Sequence, residues 1–179
     1  ARGNANDGGE GETRSMASGV EVGAKAPEFS LPDQDGNLVT LKSLKGKQVV
    51  LYFYPKDDTS GCTKEACDFR DSLAAIKKTG AVVIGVSKDG KTSHQKFIAK
   101  YGLPFALLSD EDTAVSTAYD VYKEKSMYGR KYMGMERATL LVDGAGIIRK
   151  VWRKVKVPGH VAAVLQAAES LQQAYIVHA

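Results

Sequence analysis

Between residues 49 and 54 the chain reads Val-Val-Leu-Tyr-Phe-Tyr, with no polar interruption. Such a run predicts a strand buried on both faces. Residues 81–86, Ala-Val-Val-Ile-Gly-Val, have the same character. Between the two runs the period changes. Cys62, Ala66, Phe69, Leu73 and Ile76 recur at helical spacing and form one apolar stripe of a helix predicted over 61–78. Further along, the pattern predicts a helix over 92–100 opened by a Thr/Ser cap, a short strand at 105–108 and a short helix at 112–119. Strands at 137–142 and 147–152 flank Asp143-Gly144-Ala145-Gly146 as a hairpin. Pro158 opens a closing helix through about residue 172, because its fixed φ suits a first helical turn. Ahead of all this, 29–31 and 38–41 flank Asp35-Gly36-Asn37, a small hairpin whose turn draws its positive φ from Asp-Gly. The order ββ, β-α-β-α, β-β-α around one sheet predicts an α/β fold, a central mixed sheet flanked by helices with an N-terminal hairpin.

A length of 179 residues with 43% hydrophobic content suits one domain with a full core. Residues 1–21 are rich in Gly, Asn, Asp, Glu and Ser and are expected to be a disordered extension; 22–179 are expected to form a single domain. The extension lacks the apolar segment of a signal peptide, and no run approaches the ~18 residues of a membrane helix. These features predict no membrane partner and a cytoplasmic protein, or an organellar one if the extension is the remnant of a transit peptide. The net charge of +4 falls short of a nucleic-acid footprint. The densest basic run, 149–156 around Trp152, is read as a solvated strand edge guarded by Lys and Arg, so no nucleic-acid partner is expected. His94, His160 and His178 are dispersed and read as surface or helix-end residues, which leaves no metal site. No GxGxxG or P-loop pattern occurs, so no cofactor is expected.

The chain has two cysteines, Cys62 and Cys67. Cys62 falls in the first turn of the 61–78 helix, just beyond the carboxyl end of a buried strand, where open α/β sheets place their sites. Unpaired first-turn N–H groups and the helix dipole favour an anion there. Cys67 lies five residues on, about 140° round the helix and ~7.5 Å along it, which separates the two Cα atoms by roughly 8–9 Å. A disulfide tolerates about 7 Å at most, so bonding the pair requires the first turns to unwind. Spacing alone leaves two readings open, a redox pair or two small buried hydrophobes. It excludes the C-x-x-C of a thioredoxin-type exchanger.

Pro55-x-x-x-Thr59-x-x-Cys62 resembles the active-site signature of the peroxiredoxins. The run from Phe53 to Asp57, and then from Gly61 through Cys67 to Asp71, is similar to their bacterioferritin-comigratory-protein branch, also called peroxiredoxin Q. Further likeness lies in Leu103-Pro104-Phe105, in Glu124-Lys125-Ser126 with Gly129 to Gly134, in Arg137-Ala138-Thr139, and in Lys156 to His160. The resemblance implies a thioredoxin-like fold and a thiol peroxidase acting on hydrogen peroxide and organic hydroperoxides. In it Cys62 is the peroxidatic and Cys67 the resolving cysteine, with thioredoxin or a similar dithiol as reductant and a monomer as the expected state. It assigns Thr59, Gly61 and Arg137 to the peroxide, Pro55 to shaping the loop, and Glu65 to orienting its neighbours. Ser60 departs from the family, which usually has Pro there, and a slightly looser loop is expected.

Ionisation alone cannot make such a thiol fast. Lowering a thiol pKa from ~8.5 to ~6 raises the thiolate fraction at pH 7 about 30-fold. A Brønsted slope of ~0.4–0.5 takes back roughly ten- to fifteenfold in nucleophilicity. The site must therefore stabilise the departing oxygen. By the resemblance, that task falls to Thr59, Arg137 and the N–H groups near Cys62, although on pattern alone Arg137 is an exposed strand-end cation. The alternatives are a general thiol–disulfide oxidoreductase, or a redox-sensing or chaperone-like interaction protein that uses the same unwinding as its switch.

Overall fold

The computed structural model describes residues 19–178, with side chains through 174; most of the extension expected at 1–21 lies outside them. The central sheet has five strands. Its middle strand β3 (Gln48–Phe53) runs parallel to β4 (Ala81–Ser87), which runs parallel to β5 (Ala106–Ser109). On the other side β3 pairs antiparallel with β8 (Ala138–Val142), and β8 with the edge strand β9 (Ile148–Trp152). The mixed α/β sheet expected from the sequence is present, and so is the N-terminal hairpin, β1 (Ser30–Pro32) with β2 (Leu38–Thr40).

The continuous apolar run of β3 reflects a strand with two cores. Val49, Leu51 and Phe53 pack on one face with Phe29, Leu31, Tyr119 and Ile148. Val50 and Tyr52 pack on the other with Phe69, Leu73 and Ile76 of α1 (Ser60–Lys78), Phe97 of α2 (Lys91–Tyr101), and Val161 and Val164 of α4 (His160–His178). Alternation of side chains along a strand turns one run into two interfaces. Val20 is buried in the first core, two residues ahead of the expected domain start.

Several local expectations need correction. The helix expected at 92–100 spans Lys91–Tyr101, and its cap is Gly90, with no side-chain hydrogen bond from Thr92 or Ser93. Ser93 is instead drawn to Asp57. The short helix α3 covers only Ala114–Ala118, because Thr113 before it takes a left-handed φ of 61° while the Asp110 carboxylate accepts from the Val115 and Ser116 N–H groups. The closing helix begins at His160, after the Pro158-Gly159 turn, and runs to His178, since no breaker interrupts it after residue 172. Residues 122–135, given no element by pattern, form a two-stranded ribbon, β6 (Tyr122–Met127) with β7 (Arg130–Met135), separate from the central sheet. Its mixture of lysines, methionines and tyrosines has no apolar alternation, because only Met135, at the base of β7, enters a core and the rest of the ribbon is exposed or half-buried.

Candidate active site

The loop from β3 to α1 is fastened by two adjacent acids. Asp57 is buried; the Tyr54 hydroxyl donates to its Oδ1 at 2.5 Å and Ser93 Oγ to its Oδ2 at 2.8 Å, with His94 Nδ1 2.7 Å from the same oxygen. The other ring nitrogen of His94 lies 3.0 Å from the Leu108 carbonyl. Asp58, at a left-handed φ of 57°, accepts from Lys100 Nζ and Tyr101 Oη, each at 2.8 Å. The loop is thus held against α2. His94, expected at the surface, is fully buried; it sits in a helix of mixed polarity, where sequence does not reveal which face turns inward.

Past this loop α1 starts at Ser60, with Thr59 as the extended N-cap residue. The Thr59 hydroxyl does not cap the helix but donates to the Lys56 carbonyl at 2.9 Å. Thr59 is exposed, and Pro55 is half-buried at the start of the loop. Ser60 is taken into the first turn of the helix. Cys62 is 2% exposed and heads the buried stripe of α1 expected from spacing, whereas Cys67 lies off it and is partly exposed. Both cysteines are free thiols within a continuous helix.

Arg137 reaches this sulfur across 75 positions of sequence: its Nη2 donates to Cys62 Sγ at 3.2 Å. Antiparallel pairing of β3 with β8 explains the meeting. Phe53, the last residue of β3, pairs with Ala138, the first of β8, so Arg137 stands where the β3 loop leaves the sheet. Gly61 makes room for it, since a Cβ there would lie 3.1 Å from Arg137 Nη2. The other arm of the guanidinium, Nη1, donates to Glu65 Oε1 at 2.7 Å. One planar fork therefore links the sulfur to a carboxylate buried one helical turn further on, a double contact that a lysine cannot make. The structure brings Cys62, Gly61, Arg137 and Glu65 together.

Glu65 is 0% exposed, and its Oε2 has no hydrogen-bond partner. His160 Nε2 lies 3.9 Å from that oxygen, beyond hydrogen-bond reach. The same nitrogen is hydrogen-bonded to Thr139 Oγ1 at 2.8 Å, and the Phe69 and Trp152 rings meet the imidazole edge-on. His160 is therefore buried beside the site: its helix-end position is as expected, and the surface reading is corrected. It does open α4, but it is turned inward by these partners. The family likeness runs through both Thr139 and His160 but gives neither a role at the site; the packing of α4 on α1 brings them here.

Burial raises the Glu65 pKa to about 7, although the Arg137 charge pulls it down. Burial likewise lowers His160 to about 4, with Arg137 adding to the effect. The two shifts act on stability with opposite sign. An unfolded chain releases the Glu65 proton near pH ~4.3 while the folded one keeps it to about 7, so this group makes stability fall as pH rises through that window. An unfolded chain takes up the His160 proton below ~6.5 while the folded one refuses it until about 4, so this group makes stability fall as pH drops. Each contribution is about 3 kcal/mol and the windows overlap, so they largely offset each other. Glu65→Gln is expected to gain stability relative to the parent by about 3 kcal/mol between pH 4.5 and 7, measured by urea unfolding at both values. His160→Asn should show the opposite trend, and differences that do not vary with pH would refute both shifts.

Residues 22–151 match the AhpC/TSA family. A bcp-class protein of Coxiella burnetii is 56% identical over 146 residues, 82% of this chain and 97% of that protein. Peroxiredoxin Bcp of Bacillus subtilis is 49% identical over 154 residues, 86% of this chain and 98% of that one. Among solved structures, peroxiredoxin Q of Xanthomonas campestris superposes with a TM-score of 0.78 at 46% identity, covering 80% of this chain and 91% of that chain. A further structure of the Xanthomonas campestris bacterioferritin comigratory protein, 45% identical with a TM-score of 0.78, is described in terms of its alkyl peroxide reduction activity. With a thioredoxin-like sheet and a guanidinium seated on the first-turn cysteine, the chain belongs to the AhpC/TSA family as a peroxiredoxin of the Bcp, or peroxiredoxin Q, branch, and is a thiol peroxidase.

Proposed function

We propose that Cys62 is the peroxidatic cysteine and Cys67 the resolving one, in an enzyme that reduces hydrogen peroxide and organic hydroperoxides with electrons from thioredoxin or a similar dithiol. The observation that carries this reading is the Arg137 fork, 3.2 Å from Cys62 Sγ and 2.7 Å from Glu65. The Cys62 thiolate attacks the terminal peroxide oxygen; an S–O bond forms, the O–O bond breaks, and the remaining oxygen leaves as alkoxide or hydroxide and takes a proton. A cation already in place at the sulfur stabilises that developing charge without reorganising. Thr59 supplies a hydroxyl at the mouth of the same turn, and Pro55 and Gly61 shape the approach. Glu65 holds the second arm of Arg137.

Cys67 then attacks the sulfenic sulfur, water leaves and a disulfide forms. In an intact α1 the two Cα atoms are roughly 8–9 Å apart, so this step unwinds the first turns of the helix. The dithiol reopens the bond and is itself oxidised. In this reading residues 22–179 are the catalytic unit, a monomer working where dithiol reductant is supplied, the cytoplasm.

Stopped-flow mixing with one equivalent of peroxide tests the assignment. Rapid, stoichiometric oxidation of Cys62 is expected. Slow oxidation, together with reduction of insulin disulfides by the protein, would favour a thiol–disulfide exchanger instead.

A further inference from the structure

We propose that the β6–β7 hairpin docks the reducing dithiol protein, seating an apolar surface of that partner on Met127, Tyr128 and Tyr132 and an acidic rim on Arg130 and Lys131. The inference rests on the peroxidase cycle above, which requires such a reductant.

The first support is where apolar surface is left exposed. Of the six large hydrophobic residues exposed among the described residues, Met127, Tyr128, Tyr132 and Met133 belong to this one hairpin. Single exposed hydrophobes are ordinary, but a cluster on a projecting element marks an interaction surface. Tyr128, at the turn with a left-handed φ of 53°, is 96% exposed. Tyrosine and arginine are the side chains that anchor interfaces, and methionine adapts to a partner's shape.

The ribbon also sorts its residues by face. The register pairs Met127 with Arg130 and Lys125 with Tyr132, so these four share one face. Gly134, on that face too, leaves room for its neighbours: a Cβ there would lie 3.2 Å from Lys125 Cδ and 3.3 Å from the Tyr132 ring. Met127, Tyr128, Arg130, Lys131 and Tyr132 line an open concavity at the tip. Over 122–135 four cations, Lys123, Lys125, Arg130 and Lys131, stand against one acid, Glu124, a surplus of three in a chain whose whole net charge is +4. The complementary surface is apolar in the centre and acidic around it.

Position selects the occupant. The hairpin is closed at its base by the Glu136 N–H donating to the Val121 carbonyl, and the next residue is Arg137, whose guanidinium touches Cys62 Sγ. That base is fastened: Lys123 and Arg153 pair with Glu136, and the Lys154 N–H donates to it. Six strand residues carry the tip about 20 Å from the base. A 100-residue partner domain, with a radius of gyration near 13 Å, can cover the tip while its dithiol reaches the base. A lipid surface or a second copy of this chain also fits an apolar, basic tip. Only the reductant, however, has to visit this end of the molecule in every turnover.

The test compares the parent with Met127→Ser/Tyr128→Ser and with Arg130→Glu/Lys131→Glu. Stopped-flow oxidation by peroxide and turnover with dithiothreitol should be unchanged in both. The kcat/KM for thioredoxin, recycled by its reductase, should fall at least tenfold, through KM, and the charge variant should lose the salt dependence of that constant. Unchanged thioredoxin kinetics would overturn the proposal. So would an equal loss with dithiothreitol, which would mean that the hairpin supports the site rather than a partner. Binding of the parent to phosphatidylglycerol vesicles, or its dimerisation in sedimentation, abolished by the variants while recycling is unaffected, would assign the tip to lipid or to a second copy and likewise overturn it. A parent turned over by dithiothreitol but not by thioredoxin would refute the reductant itself, a failure distinguishable from that of the docking surface.

Discussion

Cys62→Ser is expected to abolish peroxide turnover with every reductant, while Cys67→Ser keeps the first oxidation and loses recycling by thioredoxin. A serine hydroxyl is not ionised at neutral pH and cannot displace alkoxide from a peroxide, so no residual pathway runs through the position of Cys62. Neither variant threatens the fold. Cys62 is buried in the stripe of α1, where serine is nearly the same size, and Cys67 is partly exposed. Cys67→Ser leaves the Arg137 fork and Glu65 untouched, so a single equivalent of peroxide should still oxidise Cys62 at the parental rate. The product should then persist as sulfenic acid, which a dimedone-type probe traps and mass spectrometry reads. In the parent the same step should appear as lost amide protection over residues 61–69 on oxidation. Normal thioredoxin-supported turnover by Cys67→Ser would refute the intramolecular resolving step.

Removal of the Arg137 guanidinium should cost the rate of Cys62 oxidation about 10²- to 10³-fold, the range seen when one preorganised donor to a developing oxyanion is lost. Arg137→Met keeps the length and apolar stem of the side chain. It strands Glu65, but that carboxyl already titrates at about 7 because of its burial, so it takes up a proton at modest cost. Thermal unfolding should therefore change far less than the rate does. Arg137→Lys should recover only part of the rate, since a point charge cannot span Sγ and Oε1 as the fork does. The measurement is the second-order rate constant of Cys62 oxidation by stopped flow. A loss of less than tenfold in Arg137→Met would remove Arg137 from the transition state.

The local sequence carried much of this protein. The unbroken apolar run of β3, the helical stripe from Cys62 to Ile76 and the Asp-Gly turn of the first hairpin are readable because periodicity and turn chemistry are short-range properties. The motif around Cys62 was legible for the same reason, being one loop and one helical turn. The ribbon at 122–135 was not, since an element that puts only Met135 into a core shows no pattern of burial.

What only the tertiary structure decided is which distant groups meet that sulfur. The antiparallel register of β3 and β8 sets Arg137 against Cys62, and the packing of α4 on α1 turns His160 towards Glu65. By spacing, Glu65 is merely a polar residue of an amphipathic helix. It becomes a buried carboxyl with an elevated pKa because β8 and α4 close over it. Local sequence specifies which groups are available, while desolvation and long-range pairing, which exist only in the folded chain, decide what their charges do.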